Sequence, residues 1–418
     1  MSFYTFLRRA RTALRYGREQ GPVALGRLAL QMLRQQPLFT KTDIVHAHRF
    51  MQDAPVGAPL RAEDAVPANS VNWFIPPVGR GSGGHLNIFR FVRYLEQQGF
   101  ECRIIVPGDW PTLTPAIVEN EIQSWFFPLK ARAYIGTENA PPAHISIATA
   151  WHTAYDVRNF QPTRHKCYFV QDFEPWFFAS GASSTFAEET YRFGFTGITA
   201  GTWLAGLLKD EYGMVTHPVG FSYDRELYKP MPRRDPDTKR VFFYARPNTP
   251  RRAFELGVLV LNEVAKRLPG TVIAFAGADL SNYTIPFEHT NFGIVDLADL
   301  PDLYAQCDVA LVLSFSNLSL LPLELMACGV PVVSNKAPCT EWLLDESNST
   351  LAQPTVGALA DAVCELLEDP KKADRLRQAG FACAAATDWA VEGQRMGDIL
   401  RNLDHTAPLP PAGQALTA

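Results

Sequence analysis

From about residue 70, short apolar runs of strand length alternate with longer segments whose apolar residues recur at helical spacing. The first run begins at Val71 and precedes a helical segment near 87–98, and further runs begin at Cys102, Ile145 and Lys166. Strands that alternate with helical segments are typical of doubly wound domains with parallel sheets. The pattern therefore predicts an α/β fold for this part of the chain.

The same alternation begins again at Arg240. An apolar run there precedes a helical segment near 253–267, and the pattern continues through 271–276 and 309–313. Glycine and proline cluster between the two halves, from about 217 to 239, which is typical of a hinge. A chain of 418 residues is also longer than one ordinary core needs. The sequence therefore predicts two similar Rossmann-like domains.

Composition excludes several classes of protein. Hydrophobic residues make up 47% of the chain and charged residues 20%, as in folded soluble proteins, and a formal net charge of -4 gives no reason to expect nucleic acid. The seven cysteines are scattered and never spaced as C-x-x-C, so neither a disulfide framework nor a zinc site is indicated, and reduced cytoplasmic thiols are expected. Long uncharged runs such as 195–208 and 309–323 are too short to span a bilayer, and no cleavable signal is evident.

The two ends of the chain differ from the rest. Residues 1–35 carry seven arginines against a single acid, Glu19, and apolar residues recur at helical spacing from Phe3 to Leu14. Two interpretations stay open for this basic amphipathic helix: peripheral contact with an anionic membrane surface, or packing on the body of the protein. At the other end, 406–418 is rich in Pro, Ala and Gly, which predicts a disordered tail.

The most informative segment is 314–333, which reads SFSNLSLLPLELMACGVPVV. A polar loop with Ser316, Asn317 and Ser319 leads into a short predicted helix, 321–328, and the free amides around Ser319 and Leu320 could bind an anionic diphosphate. Glu324 lies within that helix, where a carboxylate can bind ribose hydroxyls. Gly329 then ends the helix and a buried strand begins.

This segment resembles the signature of retaining glycosyltransferases of family 4. That signature has two glutamates separated by seven residues before an Ala-Cys-Gly-x-Pro-Val-Val run. Glu324 matches the second glutamate, whereas Ser316 stands at the first, the family's contact to the donor sugar's hydroxyls. The resemblance covers roughly 70–400 and implies the GT-B arrangement, two Rossmann-like doubly wound domains facing a cleft, with retention of anomeric configuration.

The resemblance also implies a domain organisation for the chain. An N-terminal extension, 1–65, precedes an acceptor domain, 66–216, and a nucleotide-sugar domain, 217–387. A last helix within 388–405 is expected to cross back to the first domain, as in the resembled family. No D-x-D motif follows directly after a predicted strand, and His46-Ala-His48 lacks a second cluster of ligands, so we expect no metal and no cofactor other than the donor.

Two loops are candidates for the donor phosphates. In the run Gly79 to His85, which follows the first strand, glycines let the backbone approach an anion, and the resemblance places Gly83 and Gly84 beside the donor phosphates. After the first strand of the second half, Arg246 and Arg251 match the family's basic positions. Arginine binds phosphate oxygens with a bidentate fork and stabilises the charge on a departing diphosphate. For the glycine run the alternative interpretation is a flexible turn, and for the arginine loop it is a solvated basic turn.

The acceptor candidates lie in two aromatic-rich segments, 149–155 and 168–178. These segments resemble a subgroup of bacterial rhamnosyltransferases that build surface polysaccharides, and they contain Asp172 and His152, which could polarise an acceptor hydroxyl. An aromatic core with capping acids is the alternative.

The sequence therefore predicts a glycosyltransferase that moves a sugar, with L-rhamnose from dTDP-L-rhamnose as the first choice, onto a glycan or lipid-linked oligosaccharide acceptor. A UDP- or GDP-hexose transferase of the same fold stays open, as does a non-catalytic sugar- or nucleotide-binding subunit of a glycan assembly complex. The expected location is the cytoplasm, with the inner face of the membrane as the site of any peripheral contact.

Overall fold

The computed structural model describes residues 43–405. The basic helix predicted within 1–35 and the tail predicted at 406–418 lie outside these residues. Residues 43–52 belong to a separate compact unit, in which helix α1, Ile44–Ala47, is capped by the side chain of Asp43. Within the described range, no helix is both long enough and apolar enough to cross a membrane.

The first domain is built on a sheet of seven parallel strands in the order β3-β2-β1-β4-β5-β6-β7. The strands are Ser70–Phe74 (β1), Glu101–Val106 (β2), Arg132–Ile135 (β3), Ala143–Ala148 (β4), Thr163–Val170 (β5), Thr196–Ala200 (β6) and Thr216–Val219 (β7). The helices are Gly83–Gln97 (α2), Pro115–Trp125 (α3), Trp151–Asn159 (α4), Ala182–Glu189 (α5) and Thr202–Tyr212 (α6). Strand β1 is buried along its whole length, as expected for a strand covered on both faces.

The second domain has a parallel sheet of six strands in the order β10-β9-β8-β11-β12-β13. The strands are Arg240–Tyr244 (β8), Val272–Ala276 (β9), His289–Asn291 (β10), Val309–Val312 (β11), Val332–Asn335 (β12) and Thr350–Ala352 (β13). The helices are Phe254–Arg267 (α7), Leu300–Ala305 (α8), Leu321–Ala327 (α9), Pro338–Glu341 (α10), Val356–Glu368 (α11) and Pro370–Ala385 (α12). Apolar clusters cover both faces of this sheet.

Both sheets follow the Rossmann strand order. In each sheet the order reverses next to the domain's first strand, between β1 and β4 and between β8 and β11. Ligands of such sheets bind at this switch point, beyond the carboxyl ends of the strands. The prediction of two Rossmann-like domains is therefore confirmed, and it places the candidate site at the loops that follow β1, β5, β8 and β11.

The last helix, Trp389–Arg401 (α13), leaves the second domain and packs on α2 of the first. The rings of Trp389 and Phe91 meet edge to face, with centroids 5.7 Å apart. The helices approach closely at Gly393, where an added Cβ would lie 2.6 Å from Cβ of Tyr94. Gln98 Nε2 also donates to the Gly393 carbonyl at 2.8 Å. Glycine at this contact therefore sets how near the two helices can come.

The chain thus passes between the two domains twice, and hydrogen bonds join the two crossings. Gly220 N donates to Glu392 Oε2 at 2.7 Å, and the hydroxyls of Ser222 and Thr387 are hydrogen bonded to each other, with 2.9 Å between the oxygens. The Arg225 guanidinium donates to the carbonyls of Ala385 and Thr387. Because β7 ends only at Val219, the first sheet extends slightly past residue 217, where the sequence indicates the start of the hinge.

Candidate functional site

The loops of the two domains meet through an ion pair. Arg251, in a 3-10 turn after β8, points its Nε at Oδ2 of Asp172, which follows β5 of the first domain, at 3.3 Å. The Arg251 guanidinium also lies 3.7 Å from the ring centroid of Phe177. Its backbone carbonyl accepts from Phe315 N in the loop after β11. A cation predicted to bind phosphate is therefore held here by a carboxylate of the facing domain.

Asp172 is a buried carboxyl group in a mixed electrostatic environment. Burial raises its pKa, and the charges of Arg252 and Arg251 act in the opposite direction. Oδ1 accepts from Phe173 N at 2.9 Å, which fixes the orientation of the side chain. The nearby Ser316 hydroxyl also acts to lower the pKa of Asp172, although it forms no hydrogen bond of normal geometry with any described residue. The two arginines therefore favour the carboxylate at a place where burial alone would favour the acid.

Arg252 joins the loops of the second domain to one another. Its NH1 donates to Ser314 Oγ at 2.6 Å and to the Asn317 carbonyl at 2.8 Å, and its NH2 lies 3.9 Å from Oδ2 of Asp172. Its two hydrogen bonds thus fix the loop after β8 against the loop after β11. This role was not visible in the sequence, where Arg252 is simply the neighbour of Arg251.

Arg246 is in a different position, directly after β8. It is partly exposed, and its NH1 donates to Tyr244 Oη at 3.0 Å. Among the described residues it forms no ion pair with a carboxylate. Arg246 therefore keeps most of its donors available at the edge of the second sheet, close in sequence to the paired Arg251.

Both polar atoms of the Asn317 side chain are hydrogen bonded, and Nδ2 joins the two domains. Its Nδ2 donates to the carbonyls of Gln171 at 3.0 Å and Ala200 at 3.1 Å, at the ends of β5 and β6. Its Oδ1 accepts from Trp342 Nε1 at 2.8 Å and from Leu318 N at 3.0 Å. The predicted donor-binding side chain is thus fully hydrogen bonded within the protein, and in this structure it fastens the loop after β11 to the first domain.

Helix α9 begins one residue after Leu320, where the sequence predicts it, and has seven residues. Leu320 provides no side-chain cap, and Ser319 Oγ accepts from Leu321 N at 3.4 Å. Leu320 and Leu323 are buried in the apolar cluster of the first domain. The start of this helix is therefore packed between the domains.

Glu324, in the middle of α9, lies near a cation that sequence reasoning missed. Burial raises the pKa of Glu324 to about 7, while Arg90 and a hydrogen bond from Tyr228 act to lower it. Arg90 comes from α2 of the first domain, is buried, and has its guanidinium carbon 4.9 Å from the centroid of the Trp389 ring. Its position between Phe89 and Phe91, an arginine in an apolar helical stretch, was the available signal.

The glycine-rich run does not form a long loop, because α2 begins at Gly83 with Ser82 as its N-cap. Gly83 has open space around it, and the Gly84 carbonyl accepts from Gln171 Nε2 at 3.2 Å. His85 Nε2 lies 3.2 Å from the Pro76 carbonyl, which can only accept, so this nitrogen carries the proton and Nδ1 accepts from Ser82 Oγ. The ring of His85 is thus fully engaged, while Gly83 stays accessible.

Comparison with known proteins agrees with this architecture. Residues 239–364 match the model of the family described as WsaF, C-terminal domain. Anabaena Alr3699/HepE, solved in complex with UDP and glucose, superposes with a TM-score of 0.63 at 16% identity, over 80% of this chain and all of that one. The fold is that of GT-B glycosyltransferases.

Two curated proteins are similar in sequence to this GT-B chain. The O-antigen biosynthesis protein RfbC of Myxococcus xanthus is 32% identical over 375 residues, which are 86% of this chain and 29% of RfbC. A GDP-mannose-dependent α-(1-6)-phosphatidylinositol monomannoside mannosyltransferase of Mycolicibacterium smegmatis is 28% identical over 171 residues, 36% of this chain and 45% of that protein. The chain therefore spans less than half the length of both relatives.

His152 and Asp172 follow different strands of the first sheet. His152 lies in the first turn of α4, after β4, and burial lowers the pKa of its imidazole, so the neutral form is favoured at neutral pH. Within the described part of the chain, no hydrogen bond joins His152 to Asp172. A neutral imidazole can accept a proton, but the structure does not bring these two predicted acceptor-side residues into contact.

Glu174, two residues after Asp172, serves the packing of the first domain. Its Oε1 accepts from Tyr168 Oη at 2.7 Å and its Oε2 from Trp151 N at 2.8 Å. Burial raises the pKa of Glu174 to about 7. Both carboxylate oxygens of Glu174 are thus hydrogen bonded within the protein, as expected if this segment is an aromatic core with capping acids.

A groove of about 690 Å³ opens beside the ion pair, between the β5 and β6 loops of the first domain and the second domain. Trp176, Trp203 and Phe315 line it, and the carboxylates of Glu188 and Glu211 lie at its wall. Trp176 is half exposed, and its ring centroid is 5.9 Å from that of Trp203. Exposed indole rings beside carboxylates provide stacking surfaces and hydrogen-bond acceptors in one place.

Proposed function

We propose that this chain transfers a sugar from a nucleotide-sugar donor to a glycan acceptor in the synthesis of a bacterial surface polysaccharide such as O-antigen. The observation that carries the proposal is the position of Arg246 and Arg251 beyond the carboxyl end of β8, where Arg251 reaches Asp172 of the first domain. The similarity to RfbC, which covers most of this chain, supports the choice of pathway.

In this proposal, the two arginines hold the diphosphate as it leaves. Negative charge grows on the departing nucleoside diphosphate, so guanidinium groups fixed beside it stabilise the transition state more than the ground state. Arg246 has donors available for this role. Arg251 must exchange its bond to Asp172 for bonds to phosphate, and the exposed Gly83 lets the donor approach the start of α2.

Glu324 binds the ribose hydroxyls in the same scheme. Its pKa of about 7 lies close to working pH, and both Arg90 and the Tyr228 hydroxyl favour the charged, accepting form. Ser316, in the place of the glutamate expected from the sequence signature, presents a small hydroxyl rather than a carboxylate to the donor sugar. We therefore keep a 6-deoxyhexose such as L-rhamnose, carried by dTDP, as the first choice of donor.

UDP- and GDP-hexoses are the alternative donors. The complex of Alr3699/HepE with UDP and glucose, and the GDP-mannose dependence in the name of the mycobacterial relative, favour them. Either alternative donor would bind to Arg246, Arg251 and Glu324 in the same way. The choice between donors therefore depends on contacts with the nucleotide base and with the sugar hydroxyls.

The acceptor enters from the first domain, along the aromatic groove. Trp176 and Trp203 stack on sugar rings, and Glu188 and Glu211 accept from their hydroxyls. Asp172, next to Phe173 of the groove, orients the attacking hydroxyl in this scheme once Arg251 has moved to the phosphate. His152 is retained as a neutral base on the same domain.

A thermal-shift titration against dTDP, UDP, GDP and their sugars tests the donor site, because a ligand that binds only the folded state must raise the melting temperature. A selective shift with dTDP or dTDP-L-rhamnose supports the first choice, and one with UDP or GDP replaces it. Turnover is then measured with the selected donor and a lipid-linked oligosaccharide. Binding without turnover favours the non-catalytic alternative, and the absence of any nucleotide shift contradicts the proposal.

A further inference from the structure

Three metal-ligating side chains meet at the end of the first sheet that lies opposite the cleft. His144 lies near the start of β4, His165 near the start of β5, and Asp404 just after α13. His165 Nε2 is 2.8 Å from Asp404 Oδ1, and His144 Nε2 is 3.7 Å from Asp404 Oδ2. The two imidazole rings have centroids 4.9 Å apart. We propose that these three side chains bind a transition-metal ion of the Zn²⁺ type.

The distances fit such an ion. Zn²⁺ binds imidazole nitrogen and carboxylate oxygen at about 2.0–2.2 Å, so neighbouring ligand atoms of a tetrahedral site lie roughly 3.3 Å apart. The two observed distances from Asp404, 2.8 and 3.7 Å, lie on either side of that value, and all three ligand atoms lie within 4.8 Å of one another. Small side-chain rotations bring them around one ion, with a fourth position left for water.

The donor set also favours a transition metal over Mg²⁺ or Ca²⁺. Two imidazoles and one carboxylate suit Zn²⁺ and its neighbours in the series, whereas the alkaline-earth ions prefer oxygen ligands.

The three residues are held in place by the fold, so the site is formed in advance of the ion. β4 and β5 are adjacent parallel strands, and Ile145 is paired with His165 in their register. Leu403, next to Asp404, is buried in the core of the first domain. The side chains of His144, His165 and Asp404 are 17%, 23% and 61% exposed, so an ion can enter from solvent.

This site is separate from the proposed sugar transfer. From His165 to the end of β5 at Val170 there are five residue steps, which correspond to about 16 Å of strand, and Asp172 lies beyond that end. An ion there fastens the segment after α13 to the first sheet and takes no part in the chemistry of the cleft. The inference does not rest on the proposed function.

The test uses the full chain without an affinity tag, freed of metal by a chelator and titrated with Zn²⁺ by calorimetry. Co²⁺ absorption spectroscopy then reports whether the ion is tetrahedral with nitrogen ligands. We expect one ion per chain, and in the variant His144→Ala/His165→Ala a loss of affinity of about tenfold or more. Asp404→Asn, which keeps the shape of the side chain, is expected to weaken binding in the same direction.

The matched control is His46→Ala/His48→Ala, which removes the same number of histidines from an exposed part of the described chain. Binding is expected to persist in this control. The inference is overturned if wild type binds no Zn²⁺ at a ratio near one, or if binding survives the loss of His144 and His165. If binding is lost in His46→Ala/His48→Ala but kept in His144→Ala/His165→Ala, the ion binds at His46 and His48, and the inference is also overturned.

Discussion

Arg251 Nε and Asp172 Oδ2 lie 3.3 Å apart, so a cation of the second domain is paired with a carboxylate of the first. An anionic diphosphate entering the cleft competes with Asp172 for the same guanidinium. The carboxylate therefore occupies part of the site where the proposed function requires negative charge to bind.

Replacing Asp172 by Asn should increase affinity for the nucleoside diphosphate several-fold, because Arg251 and Arg252 lose the charge that opposes them. The amide keeps the acceptor for Phe173 N. Calorimetry with the nucleotide selected by thermal shift measures the change, and sugar transfer should fall if Asp172 orients the acceptor. The control, Asp361→Asn, removes a carboxylate paired with Arg267 on the surface. Unchanged or weaker diphosphate binding in Asp172→Asn would argue against the competition.

Substitutions of Arg246 and Arg252 should have different effects, one on diphosphate affinity and the other on the stability of the fold. Arg246→Ala is expected to lower diphosphate affinity about ten- to hundredfold, the value of a hydrogen bond to a charged group, with little change in melting temperature. Arg252→Ala should instead lower the melting temperature, since it removes the bonds to Ser314 Oγ and the Asn317 carbonyl. Equal effects of the two substitutions on both measurements would contradict the assignment.

Asn317→Ala should destabilise the chain by about 2–4 kcal/mol, because it leaves buried carbonyls and the Trp342 N–H without partners. Asn317→Asp should cost at least as much, since it places a carboxylate oxygen against the Gln171 and Ala200 carbonyls. Denaturant unfolding measures both variants. Asn120→Ala, which removes an exposed asparagine of α3 that has no side-chain hydrogen bond among the described residues, is the control and should leave the midpoint nearly unchanged.

Stability should fall as pH rises from about 4.5 to 7 in part because of Glu174. Burial raises the pKa of this carboxyl to about 7 from an ordinary 4.5, so over that interval the unfolded chain releases the proton and the folded chain keeps it. In Glu174→Gln the slope of unfolding free energy against pH should be smaller, by up to about 1.4 kcal/mol per pH unit. Urea unfolding at several pH values checks this against Glu346→Gln, an exposed control.

Trp176→Ala tests the aromatic groove. The side chain is half exposed, so we expect little loss of stability and a several-fold rise in the KM for the acceptor, with donor affinity unchanged. Trp125→Ala, at the end of α3 and also partly exposed, should alter neither constant. A rise in the KM for the donor instead would place Trp176 outside the acceptor path.

Most of the fold could be predicted because each element carries its own signal. The alternation of apolar and helical segments predicts the central strands of both sheets but not the short strands β3, β10 and β13, and α9 begins where the sequence predicts it. The sequence predicts that α2 starts near residue 87, whereas it starts at Gly83. The glycines at 83 and 84 conceal the N-cap Ser82, whose Oγ accepts from His85 N. Strand β7 was read as hinge because it lies at the sheet edge, where only Val219 is buried.

The site was harder to predict, because its contacts join distant parts of the chain. Asn317 was recognised as a polar loop residue, but its partners Gln171 and Ala200 lie 146 and 117 positions away. No local pattern reports such a pairing. Arg90 gave a signal, a charge between two phenylalanines, yet its effect on Glu324 depends on how the domains face each other.

The two hydrogen-bonded crossings between the domains limit how the cleft can move. Gly220–Glu392 and Ser222–Thr387 fasten the two connecting segments to each other, and the bonds of Arg251 to Asp172 and of Asn317 to Gln171 and Ala200 cross the cleft itself. Separation of the domains must break the second set, whereas it can leave the first set intact. We therefore expect the cleft to hinge at the two crossings and to open at Arg251 and Asn317.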